Sequence, residues 1–225
     1  MRRLLASALV VAACLQSAPA AAQEPGPELD RFYFRLAGGP RALARWTDCL
    51  VNRSPQEARA LFDHEPGSPV FQQANEAVFG EQGGTCLFST RSLSVSGVMA
   101  MGSIAEHLLR ADKPARPHAT TVSGTFAGGG TYQWVWQGLQ PRGEQLLGPL
   151  AQCLVARHAD QVEAVLAERP NANGERTAYN AMRAEIADCI PPGEQRVLQP
   201  QQLRAALAAT YYRAARAANA DGTAE

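Results

Sequence analysis

Cys49-Leu50-Val51-Asn52-Arg53 and Cys153-Leu154-Val155-Ala156-Arg157 stand 104 positions apart (153 − 49), and the chain around each is built alike. Upstream, Leu43, Trp46 and Leu50 match Leu147, Leu150 and Leu154; downstream, Ala58, Leu61 and Phe62 match Val162, Val165 and Leu166, all at the same offset. A second match follows at an offset of 103 (207 − 104), where Ile104-Ala105-Glu106-His107-Leu108-Leu109-Arg110 aligns with Leu207-Ala208-Ala209-Thr210-Tyr211-Tyr212-Arg213. Order, cysteine position and apolar phase all agree, which reads as one unit present twice. Two copies do not make a solenoid; each unit is expected to bury its apolar face on the other.

The duplication bears on the cysteines. Cys49, Cys86, Cys153 and Cys189 allow three complete pairings. Cys49 and Cys86 are 37 positions apart and Cys153 and Cys189 are 36, so one bridge per unit, Cys49–Cys86 and Cys153–Cys189, is the pairing the repeat implies. Cys-x-x-Cys does not occur, and histidines at ligand spacing do not accompany the cysteines, so structural bridges are expected rather than a redox pair or a metal site.

Helical periodicity fills both units. Residues 40–52 place Leu43, Trp46 and Leu50 on one face. Ser54-Pro55-Gln56-Glu57 is a helix start: a serine cap, a proline whose missing N–H is not needed in the first turn, and a glutamate able to return a bond. Ser68-Pro69 repeats that logic before Phe71, Ala74 and Val78, and 97–110 is a further helix. In the second unit helices are expected over 144–158, from an Asp160 cap through Val162, Val165 and Leu166, over 174–188 with Tyr179, Met182 and Ile186 inward, and over 200–216. Asn219 to Glu225 reads as a frayed tail.

Composition changes between the units. Thr120–Phe126 and Thr131–Gln137 flank Gly128-Gly129-Gly130 and read as two strands around a turn. Tyr132, Trp134 and Trp136 share one face of the second strand. An isolated hairpin is marginal in water, so that face either packs on the helices or forms an aromatic ledge for a peptide, a glycan or another envelope protein. Phe32, Tyr33 and Phe34 could add a third strand. The fold class expected is mainly α: two related disulfide-stapled helical units with a small β-hairpin insert. The divisions are 1–22 leader, 29–111 first unit, 112–140 linker and insert, 141–216 second unit, and 217–225 tail.

Met1-Arg2-Arg3, an apolar run from Leu4 to Leu15 and a small-residue exit ending at Ala22 have the order of a secretory signal. Val11-Ala12-Ala13-Cys14 offers a rival cut that leaves Cys14 lipidated, so the expectation is an exported, periplasmic or secreted protein, membrane-attached only through Cys14. The chain has 225 residues with 21 basic and 21 acidic side chains. Cleavage after Ala22 removes Arg2 and Arg3, leaving 19 against 21, a formal charge of −2. That balance gives no drive toward nucleic acid.

Motifs for chemistry are sparse. His64, His107, His118 and His158 are scattered without an HExxH pair, and no GxSxG elbow surrounds Ser96 or Ser103. The triple glycine lacks GK[ST]. No cofactor and no metal are expected. Arg53 and Arg157, and Arg110 and Arg213, occupy matching places and are candidate anion contacts, although helix-end charge, stems covering apolar surface or carboxylate pairing is the plainer reading. The functional expectation is a non-enzymatic scaffold or partner-binding module of the cell envelope, its surface at the joint between the units. The alternative is a periplasmic hydrolase with a site that no motif announces.

Overall fold

A computed structural model describes residues 39–64, 68–80, 85–86, 95, 97–119, 121–122, 147–190 and 198–222. Among them the chain is helical: α1 Gly39–Arg53, α2 Pro55–Asp63, α3 Pro69–Phe79, α4 Gly97–Asp112, α5 Leu147–Arg157, α6 Ala159–Ala167, α7 Asn173–Ala181, α8 Arg183–Cys189 and α9 Pro200–Gly222. No helix among the described residues is long and apolar enough to cross a membrane.

Most of the apolar stripes read from the sequence are buried, while Leu109, Leu166, Tyr179 and Ile186 are only partly so. Leu50, Leu61, Ile104 and Leu108 are fully buried in one core cluster, and Leu154, Val162, Val165, Met182 and Leu207 in a second. Leu109 and Leu166 pack against both, so the two cores meet. The long α9 is the shared element. It packs on α2, α4, α5 and α6, and residues 203–215 are all buried. Alanine at 205, 206, 208, 209, 214 and 215 lets neighbours approach this helix closely while favouring its helical backbone. The closest approach is to α4 at Gly102, where a Cβ would lie 2.3 Å from Ala205 Cα.

Two bridges staple the structure, Cys49–Cys86 with Cα atoms 5.7 Å apart and Cys153–Cys189 with 5.8 Å. These are the pairs implied by the spacing, and disulfides fit a protein exported to an oxidising compartment. Charged side chains tie helix ends across the fold. Arg59 on α2 grips Asp112 at the end of α4 with bonds of 3.0 and 2.6 Å, and the Tyr212 hydroxyl donates to the same carboxylate at 2.5 Å. Arg116 pairs with Asp160 and Glu163, and the Tyr211 hydroxyl donates to Glu163. Arg216 holds Asp63 with bonds of 2.8 and 2.7 Å.

Several local expectations need correction. The Ser54 side chain makes no capping bond; its backbone N–H reaches back to Leu50 O at 3.0 Å while its carbonyl accepts from Ala58. Ser54 is therefore a corner joining α1 to α2 rather than a free start. Ser68 does cap, accepting from Phe71 N–H at 3.2 Å. Asp160 lies inside α6, where His158 holds the N-cap position without a side-chain capping bond, and the Asp160 carboxylate serves Arg116 instead. The single helix expected over 174–188 is two, broken at Met182, whose ψ is 11°. The apolar spacing runs through the break because Met182 itself is buried there. α9 continues to Gly222, beyond the expected end at 216. Where a strand was expected from 120, Val122 N–H bonds to His118 O at 3.0 Å in a helical turn and the Val122 side chain is buried. Residues 123–146, with the rest of the expected hairpin, and residues 1–38, with the leader, Cys14 and Phe32-Tyr33-Phe34, lie outside the described residues.

Candidate functional site

A cavity of about 180 Å³ lies between α1 and α4 on one side and the α6–α7 loop, α7 and α9 on the other. It sits at the joint between the two halves of the chain. Leu43 and Ala44 of α1, Met99 of α4, Pro170 and Ala205 give it apolar walls. Asp48, Thr47, Ser103, Glu106, Glu175 and Arg204 supply polar groups.

Helical spacing places them. Ser103 and Glu106 are three apart on α4, and Thr47 faces that helix from α1, with the two hydroxyl oxygens 2.8 Å apart. Asp48, the next residue of α1, accepts from His107 Nδ1 at 2.7 Å. Gln201 and Arg204 are likewise three apart at the start of α9. Asn171, with φ at 65°, turns the loop so that its N–H donates to Glu175 Oε2 at 2.5 Å. Asparagine tolerates this left-handed backbone better than most residues.

Arg204 organises the floor. Its side chain is 4% exposed, and its five N–H groups make six hydrogen bonds. Two go to Glu106, at 2.7 and 3.1 Å, and one to Glu175 at 3.2 Å. The others take the carbonyls of Val165, Leu166 and Glu168 at the end of α6. Glu175 is 3% exposed and Glu106 14%. Burial pushes the Glu175 carboxyl above its usual range, and the bonds from Asn171 and Arg204 only partly oppose this. Arg110 stands at the rim, 65% exposed and 3.7 Å from Glu106.

The four arginines singled out in the sequence have different surroundings. Arg110 borders the cavity. Arg53 bonds to Thr85 beside the first bridge, Arg157 ends α5 at the surface, and Arg213 is buried within α9. Tyr132, Trp134 and Trp136 lie outside the described residues. His107 is held by Asp48 next to the cavity, but the Ser103 hydroxyl bonds to Thr47. Among the described residues no cluster of three or more His, Cys, Asp or Glu is arranged to hold a metal. Sequence reading did not single out Glu106, Glu175 or Arg204, which are 98 and 29 positions apart along the chain. No protein-family model, no curated protein and no solved structure matches the chain.

Proposed function

We propose that this is an exported, non-enzymatic binding protein made of two copies of one helical unit, with its binding site in the cavity at their joint. Element boundaries support the duplication. α2 and α6 begin at 55 and 159 and end at 63 and 167, a difference of 104 at both ends. α3 and α7 begin at 69 and 173, again 104 apart, and α4 and α9 begin at 97 and 200, 103 apart. Gly102 and Ala205 correspond at that same offset, and they meet at the α4–α9 crossing. A residue that touches its own counterpart lies on the two-fold relation between copies, so the two units face each other as the subunits of a fused dimer.

The observation that carries the binding reading is the cavity itself, with mostly apolar walls and convergent polar groups from four elements. Ligand-observed NMR with a mixture of small cationic, neutral and anionic fragments tests it. Saturation should pass from the protein to a subset of the fragments, and Ala44→Phe, which puts a ring into the mouth, should abolish that transfer. Equal transfer from both proteins, or none from either, would contradict the reading.

A second reading, hydrolysis, rests on the Asp48–His107 pair beside Ser103. It requires Ser103 to leave Thr47 for His107. Labelling of Ser103 by a fluorophosphonate, lost in His107→Ala, is the result that would favour it.

A further inference from the structure

The same place in the fold is built twice, and the Glu106–Glu175–Arg204 triad stands in only one copy. At the offsets of 104 and 103, Glu175, Arg204 and Glu106 correspond to Phe71, Met101 and Ala209, all buried in the first apolar core. Thr47 and Ser103 correspond to Ala151 and Ala206, buried in the second. The fold therefore closes without these polar groups. Burying an ion triad is costly, and an apolar replacement of similar volume is often neutral or stabilising. An ion triad kept beside a cavity, where Phe71, Met101 and Ala209 stand at the corresponding positions, marks a site for a ligand.

The donor and acceptor inventory states which ligand. Every N–H of Arg204 is committed, so it has none to give an anion. The carboxylates of Glu106, Glu175 and Asp48 retain lone pairs. Three carboxylates against two guanidinium groups leave the lining at formal charge −1. An engineered cavity of about 150 Å³ accepts benzene, so this one holds roughly a ring with a short substituent. Resting on the binding reading above, we propose that the cavity takes a small organic cation: an ammonium group on the Glu106–Glu175–Asp48 side, and an apolar body against Leu43, Met99 and Pro170.

Calorimetric titration of the exported chain with 2-phenylethylammonium, 2-phenylethanol and phenylacetate at neutral pH separates the outcomes. The ammonium should bind at least about tenfold more tightly than the other two. Asp48→Asn changes a half-exposed lip residue and should weaken its binding about threefold, while Arg110→Ala should strengthen it by a similar factor. Neither variant should move the alcohol. Tighter binding of the alcohol or phenylacetate, indifference of the ammonium to both variants, or failure of all three probes overturns the cation assignment. The binding reading falls separately, when fragment contacts in the NMR experiment ignore Ala44→Phe or are absent from both proteins.

Discussion

Replacing Arg204 by the residue at its counterpart position, Arg204→Met, tests what the buried triad does. The variant removes six hydrogen bonds and leaves Glu175 and Glu106 facing each other in a site almost closed to water. Breaking a buried ion pair from one side costs about 3–5 kcal/mol. In a domain of this size that is a fall of roughly 6–20 °C in Tm. Protonation sets the pH dependence. Burial already raises the Glu175 pKa in the folded state, and loss of Arg204 raises it further. A carboxyl with a raised folded-state pKa favours folding below that pKa and loses the benefit as pH rises through it. The deficit of Arg204→Met should therefore shrink as pH is lowered from neutral toward 5. The triple variant Arg204→Met/Glu106→Ala/Glu175→Phe installs the apolar residue types of the aligned positions Met101, Ala209 and Phe71 and should regain most of the lost stability. Urea unfolding followed by circular dichroism, with the bridges intact, measures all three proteins. A single variant as stable as the parent would refute the claim that Arg204 compensates the two buried carboxylates, and a triple variant no better than the single would refute the argument that the triad is dispensable to the fold.

Three further outcomes follow from the packing. Cys153→Ser/Cys189→Ser opens a loop of separation 36 and should lower stability by about 4 kcal/mol on the chain-entropy estimate, read from urea midpoints. Gly102→Ala forces α4 and α9 apart by about 1 Å against backbone atoms of Ala205; overpacking of roughly 1–3 kcal/mol outweighs the ~1 kcal/mol gain in helix propensity, so its Tm should fall. The hydrogen bonds from Arg59, opposed by burial and joined by that from Tyr212, hold the Asp112 carboxyl below its usual range. A depressed folded-state pKa adds stability above the unfolded value near 4 that is lost as pH falls through the folded one, so Asp112→Asn should flatten the acid limb of a stability–pH curve.

Legibility from sequence followed the range of the interactions. The stripes of α1, α2 and α6 repeat every three or four residues, so their buried faces could be read directly. The bridges were legible because the two cysteine pairs have near-equal spacings, 37 and 36. The break at Met182 was not, because Tyr179, Met182 and Ile186 keep helical spacing while the backbone turns between them. The cavity was harder still. Its floor joins α4, α7 and α9, and no short motif records such a meeting. One signal was present: within the aligned segments, Glu106 stands opposite Ala209, a charge against a methyl group.

The central claim is that the cavity at the joint of the units is where this protein binds. A ¹H–¹⁵N correlation spectrum recorded with the fragment that receives the strongest saturation transfer locates that binding. The account predicts amide shifts concentrated at Thr47, Ser103, Asn171, Glu175 and Gln201, the positions that border the cavity. Shifts confined to other helices, with these five unmoved, would contradict it.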